Sequence, residues 1–181
     1  LVLDAKFNTP SGFGSLKQLK VLEARGLPND LNGISELTSL EDLTLEYGGR
    51  DADVRATEGL HALKRLKIKT SGKITFPPSW AKLEYLEELD LWSSHFPQMP
   101  EVISTIPLLK RLTMFSNRLE ELPDWICNFS DLEELKLSYN AIKALPEAFA
   151  NLQNLQKIIL DTNALTEFPS AFLQMPALKD I

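Results

Sequence analysis

The chain has 181 residues, enough for one domain, and its 44% hydrophobic and 24% charged content is that of an ordinary folded protein. Its net charge of −6 argues against nucleic acid or an anionic membrane as a partner, since both attract basic surfaces. No apolar run approaches the roughly 18 residues that a membrane-spanning helix needs. The single cysteine, Cys127, cannot form an intrachain disulfide, which favours a reducing, cytoplasmic location; a secreted bacterial protein built without disulfides is the alternative.

Short segments of alternating apolar residues recur along the chain and predict strands with one buried face. The first is Leu1-Val2-Leu3, and the second contains Leu22 and Ala24. From Leu19 the pattern takes 21 residues to restart, and from then on it restarts every 23 residues. The leucines at these intervals are Leu40, Leu63, Leu86, Leu109, Leu132, Leu155 and Leu178. Equal intervals with matching interior positions indicate a repeat protein in which each repeat packs only on its neighbours.

Each repeat combines a strand, a sharp exit and a return segment. One complete example consists of Leu109, Leu112, Met114, Asn117, Leu119, Leu122 and Pro123. We expect Asn117, Asn140 and Asn163 to end the strands and to bond backbone groups of the turns above and below. Prolines are expected to begin the return segment as a helical turn or a short helix. These prolines are Pro100, Pro123, Pro146 and Pro169. Each return segment is expected to have two inward positions. The first is held by Trp80, Ile103, Ile126, Phe149 and Phe172, and the second by Leu83, Ile106, Phe129, Leu152 and Met175.

The N-terminal half departs from this pattern in two ways. The stretch 48–57 keeps the repeat length but lacks both the Asn and the Leu-Pro pair, and Ser71 and Ser94 stand where Asn is expected. We therefore expect the N-terminal half to be less regular, with loops that the pattern does not place.

These repeats resemble those of the leucine-rich-repeat family in its 23-residue form, which begins LxxLxLxxNxLxxLP. The form is similar to the repeats of intracellular Ras-pathway scaffolds and of many bacterial repeat proteins. The resemblance implies an α/β solenoid: a right-handed horseshoe with a parallel sheet on its concave face. Residues 1–181 would form one domain of about eight repeats, the first and last of them partial. Such a resemblance is specific for the fold and not for any partner.

No group of residues predicts catalysis, a cofactor or a metal site. The chain has two histidines, His61 and His95, and the core would separate His95 from Cys127 on the outer segment. Neither His, Cys nor carboxylates show metal-ligand spacing. Ser71-Gly72-Lys73 resembles the end of a phosphate-binding loop, but Lys67 stands where that loop needs a glycine. We therefore expect the chain not to be an enzyme.

Outward strand positions form a column whose charge alternates in sign at every repeat. We interpret the column as a cross-strand ladder that fixes register, with a binding role as the alternative. The basic strand with Arg65, Lys67 and Lys69 is expected to be compensated by acidic residues on both sides. The column consists of Asp42, Arg65, Glu88, Arg111, Glu134, Lys157 and Asp180.

Trp92 and Phe115 occupy the same outward position in consecutive repeats, where other repeats have polar residues. Tyr139 lies one position later in its own repeat, and His95 and Arg118 follow the strands. Exposed aromatic rings with an arginine nearby are typical of a protein-binding hot spot. The alternative is that the rings only stack on each other or cover an irregular edge.

Three functions stay open at this stage. We favour a monomeric scaffold that binds another protein on its concave face around these five residues. The second is the substrate-recognition part of a larger enzyme, such as a ubiquitin ligase, kinase or GTPase, or a secreted bacterial effector. The third, a carbohydrate or small-ligand binder, is disfavoured by the charged face. We also expect the full-length protein to continue past Ile181, because Leu178 and Ile181 would otherwise expose a core layer.

Overall fold

A computed structural model describes residues 1–3, 12–26, 33–77, 80–92 and 95–181. Strands alternate in these residues with short 3-10 helices. The strands are β1 Val2–Leu3, β2 Val21–Arg25, β3 Asp42–Gly48, β4 Ala52–Asp53, β5 Arg65–Thr70, β6 Ile74–Thr75, β7 Glu88–Trp92, β8 Arg111–Thr113, β9 Glu134–Lys136 and β10 Lys157–Ile159. The helices are η1 Phe13–Ser15, η2 Ile34–Glu36, η3 Arg55–Gly59, η4 Trp80–Lys82, η5 Glu101–Thr105, η6 Asp124–Asn128, η7 Glu147–Asn151 and η8 Ser170–Gln174.

Eight of the strands form one parallel sheet in the order β1-β2-β3-β5-β7-β8-β9-β10. The register repeats the 23-residue interval: Leu66 pairs with Leu89, Leu89 with Leu112 and Leu112 with Leu135. Inward residues therefore form a single continuous core, and outward residues form straight columns across the strands. The predicted leucine-rich-repeat solenoid with a parallel sheet on its concave face is confirmed.

The asparagines at the strand exits bond neighbouring repeats as predicted. The Nδ2 amide of Asn140 donates to the carbonyl of Met114 in the preceding repeat at 2.9 Å and to that of Leu137 in its own repeat at 2.8 Å. Its Oδ1 accepts from the backbone N–H of Leu119 at 3.1 Å. Asn163 and Asn117 make corresponding bonds, so the buried backbone of the turns is satisfied by side chains.

The return segments are 3-10 helices of three to five residues in the described chain. Pro100, Pro123, Pro146 and Pro169 each precede one of them, in the predicted place. The two inward residues of each segment, such as Ile126 and Phe129, are three positions apart, which matches the three-residue turn of this helix. All ten predicted inward side chains are buried.

The irregular stretch after β3 forms structure that the repeat pattern does not predict. Strand β3 continues to Gly48, and β4 and β6 make a separate parallel pair. Tyr47 is 2% exposed and its hydroxyl donates to the carbonyl of Asp53 at 3.2 Å. Ser71, in the place of an Asn, reaches only the Gly48 carbonyl at 3.5 Å, and Ser94 lies outside the described residues.

Candidate functional site

Three aromatic side chains on consecutive repeats form a continuous row on the concave face. The ring centroids of Trp92 and Phe115 are 4.8 Å apart, and those of Phe115 and Tyr139 are 5.0 Å apart. We name these three residues the aromatic row. Trp92 and Phe115 are partly covered by their contacts, whereas Tyr139 is 53% exposed. The two rings do stack on each other, as the alternative interpretation proposed, and with Tyr139 they also form an accessible apolar surface.

A left-handed backbone residue brings Tyr139 into the row. Ser138 holds the strand position equivalent to Phe115 and is only 6% exposed. Tyr139 has φ 59°, a conformation that non-glycine residues seldom adopt, and its N–H donates to the Asp161 carbonyl at 2.9 Å. Because of this turn the ring contacts Phe115 although it is one position out of the column.

Two lysines of β5 lie beside the Trp92 end of the row. The Nζ of Lys67 is 4.6 Å from the Trp92 ring centroid and 3.3 Å from Oδ2 of Asp90, while the Nζ of Lys69 is 5.9 Å from the same centroid. Burial raises the pKa of the Asp90 carboxyl above its ordinary value, against the opposing effect of Lys67. The positive charge of Lys67 is thus compensated by Asp90, as predicted. Lys69 is not: in the described part of the chain it makes no ion pair.

His95 and Arg118 lie at the edge of the row and not in it. Both are exposed, and they follow neighbouring strands, with the Arg118 N–H donating to the Phe96 carbonyl at 3.0 Å. Among the described residues, the cations that lie over a ring of the row are those of Lys67 and Lys69, and not that of Arg118. The structure therefore brings together Trp92, Phe115 and Tyr139 and leaves the other two candidates beside them.

The alternating charge column has the predicted register. Arg111 lies between Glu88 and Glu134 on the adjacent strands. Its Nε is 3.1 Å from Oε2 of Glu88, whereas Glu134 pairs with Lys136 of its own strand at 2.7 Å. Arg65 likewise pairs with Asp42, and at the other end Lys157 pairs with Asp180. Arg111 thus pairs with one of its two oppositely charged neighbours, although the alternation of signs would allow both.

A second alternating column, one residue before each strand, was missed by the sequence analysis. The carboxylate of Glu41 accepts from Nζ of Lys20 and Nζ of Lys64, each at 2.8 Å, and Lys110 pairs with Glu87 at 3.0 Å. The two bonds from lysine hold the pKa of Glu41 at about 2. The signal was present in the sequence, because Glu41, Lys64, Glu87 and Lys110 follow one another at the 23-residue interval, and Lys20 precedes Glu41 by the 21 residues of the first repeat.

The side chains that commonly bind metals are dispersed in the described structure. Among these residues there is no cluster of three or more His, Cys, Asp or Glu side chains that could hold a metal ion. Cys127 is 5% exposed, and burial raises the pKa of its thiol, so it packs as an inert apolar residue. The Nδ1 of His61 lies 3.2 Å from the backbone carbonyl of Lys82, away from Cys127. Nor is any helix in the described residues long and apolar enough to cross a bilayer.

Comparisons with known proteins agree with this architecture. The family model "Leucine rich repeat" matches residues 107–165 and 131–181, the regular C-terminal part of the chain. A comparison with curated protein sequences gives no significant match.

Solved structures resemble the chain over nearly its whole length. A leucine-rich-repeat protein of Leptospira interrogans is 24% identical, with a TM-score of 0.84 over 99% of this chain and 47% of its own. An internalin (inlF) of Listeria monocytogenes is 22% identical, with a TM-score of 0.74 over 92% of this chain and 48% of its own. Internalin C2 of the same species is 23% identical, with a TM-score of 0.76 over 94% of this chain and 74% of its own. The chain thus spans about half the length of the first two, and the likeness establishes the fold alone.

Proposed function

Because the chain has the leucine-rich-repeat fold, we propose that it is a protein-interaction module that holds a partner protein on its concave face, at the aromatic row. Domains of this fold are commonly interaction modules and typically not enzymes. The observation that carries the proposal is the unbroken contact of Trp92, Phe115 and Tyr139 on a face that is largely charged. Large aromatic surfaces that are accessible to solvent are typical of binding hot spots.

The geometry favours a macromolecular partner over a small ligand. The shallow depression on the concave face between β3, β5 and β7 is lined largely by charged side chains such as Asp42, Arg65 and Asp90. Small-ligand sites are instead enclosed and mostly apolar. The row itself extends across three repeats, about 10 Å at the usual strand spacing, and suits the surface of a protein.

A double variant tests the proposal. We expect Trp92→Ala with Phe115→Ala to weaken binding of a partner captured from the source organism by about 2 kcal/mol or more, because hot-spot rings contribute that much. The same change should lower the free energy of unfolding by only about 1–2 kcal/mol, since the two rings stack but leave the core intact. Calorimetric binding and thermal melts measure the two quantities.

Tyr85→Ala is the matched control, because Tyr85 is also an aromatic residue and is 58% exposed just after η4. It should leave binding unchanged. Unaltered binding by the Trp92/Phe115 variant would place the partner elsewhere on the solenoid. A collapse of the melting temperature would show that the rings are structural.

A further inference from the structure

The aromatic row lies between two opposite charges. Lys69 precedes Trp92 in the column of outward residues, and Asp161 follows Tyr139 at the other end. Both side chains are exposed. In the described part of the chain neither of them takes part in an ion pair. The site thus has a cationic end, an apolar middle and an anionic end.

Most charges around the row are already paired. Lys67 pairs with Asp90, Arg111 with Glu88, and Lys136 with Glu134. Glu46 lies opposite Lys69 in the register of β3 and β5, yet the two groups form no ion pair. Since paired charges are compensated within the protein, Lys69 and Asp161, exposed at the two ends of the row, are charges that a partner can complement.

We propose that the partner presents an extended segment that crosses the strands, and this inference rests on the proposed function. The segment places a carboxylate over Lys69, apolar side chains on the aromatic row and a basic side chain over Asp161. The strands β5, β7, β8, β9 and β10 are consecutive in the sheet, so the two charges are four strand spacings apart. At about 4.8 Å each this is about 19 Å, which an extended chain covers in about six residues. The two charges would fix the direction in which the segment lies.

Three synthetic peptides with one apolar centre test the inference. Their charged residues, about six positions apart, are Asp and Lys in the first, Asp and Asp in the second, and Lys and Lys in the third. Titrated against the whole chain, the mixed peptide should bind about fivefold or more tightly than the others, as expected for one partly exposed ion pair gained. Lys69→Glu should shift the preference to the Lys/Lys peptide, and Asp161→Lys to the Asp/Asp peptide.

Lys82→Glu in η4 and Glu101→Lys in η5 make the same charge changes at exposed positions of the return segments and should leave all three affinities unaltered. Lys69→Gln removes the charge without reversing it and should abolish the advantage of the mixed peptide over the Lys/Lys peptide, while its advantage over the Asp/Asp peptide, which depends on Asp161, should remain. Circular dichroism and melting curves confirm that each variant is folded.

The outcomes separate the two proposals. Equal affinities for the three peptides, all lost in the Trp92/Phe115 double alanine variant, would overturn the charge assignment and leave the row as the binding site. Affinities that survive the double alanine change would overturn the proposed function. No binding of any peptide at millimolar concentration would overturn the inference of an extended segment.

Discussion

At the scale of single residues, the carboxylate of Asp90 lies on the concave face yet is largely covered, with 15% of its side chain exposed. Burial disfavours the charged form and raises the pKa of the group, while the ammonium of Lys67 at 3.3 Å stabilises the charge. The same ammonium lies over the Trp92 ring. Lys67 therefore supports both the buried carboxylate and one end of the aromatic row.

Lys67→Met should expose this dependence. With its counter-charge removed, Asp90 is a largely buried and unpaired carboxylate, and we expect the free energy of unfolding at pH 7 to fall by about 1–3 kcal/mol. A folded-state pKa above the ordinary value means that folding favours the protonated form, so the lost stability should return as the pH falls through that pKa. Denaturant unfolding at pH 7 and near pH 4 measures both effects.

Lys69→Met is the control, because Lys69 is exposed on the same strand and makes no ion pair in the described chain. It should cost little at either pH. Equal losses for the two variants, or a loss for Lys67→Met that does not change with pH, would contradict this account of Asp90.

At the scale of strands, the members of the alternating charge column that contains Arg111 differ in how they pair. Arg111 has Glu88 and Glu134 on its two sides but bonds only to Glu88. Glu134 is engaged by Lys136 of its own strand. Adjacent strands are therefore coupled by particular ion pairs, and equal spacing in the sequence does not make the pairs equal in strength.

A pair of double-mutant cycles tests this difference. We expect Arg111 and Glu88, changed singly and together to Ala, to show a coupling energy of about 0.5–1 kcal/mol in low salt, because the pair is partly exposed. The matched cycle of Arg111 with Glu134 should show less, since that carboxylate has another partner. Thermal melts with and without salt provide the energies. Equal coupling in both cycles would mean that the whole column acts as one.

Much of the fold could be predicted because each repeat position has one physical task. The 23-residue interval gave the register, the alternation gave the buried face, and Asn140 bonds in the way its position requires. The stretch 48–57 could not be predicted, because its strand β4 pairs with β6 more than 20 residues later, and the adjoining Tyr47 is buried and donates a hydrogen bond to Asp53 that has no equivalent in the repeat pattern. Within the site, the contact of Tyr139 with Phe115 depends on a left-handed backbone that recurs one residue before each Asn, at Ser116, Tyr139 and Thr162, and the residue types at these positions do not indicate it.

At the scale of the whole molecule, one hydrophobic core extends through the repeats without interruption, from Phe13 to Met175. The main sheet is equally continuous. Since every repeat buries its inward face on its neighbours, a defect in one layer weakens both adjoining layers. The stability of the aromatic row therefore depends on the repeats on both sides of it.

Leu135→Ala tests the continuity of the core. Leu135 is fully buried in β9, and the cavity should lower the free energy of unfolding by about 2–5 kcal/mol. Unfolding followed by tryptophan fluorescence and by circular dichroism should give coincident transitions at the lower midpoint. Leu173→Ala, at a position 80% exposed, removes the same atoms and should change little. Two separate transitions would show that the core divides into independent halves.

The columns of the concave face also bear on how such a surface can evolve. An outward side chain of β7 has its neighbours in the same column on β5 and β8, while the inward residues that hold the fold alternate with it. A substitution at an outward position, such as that of Phe115 or Asp161, thus changes the surface at one point, while the inward residues that hold the fold stay the same. Duplication of a repeat followed by drift at these positions can generate new binding specificities stepwise, each on a scaffold that already folds.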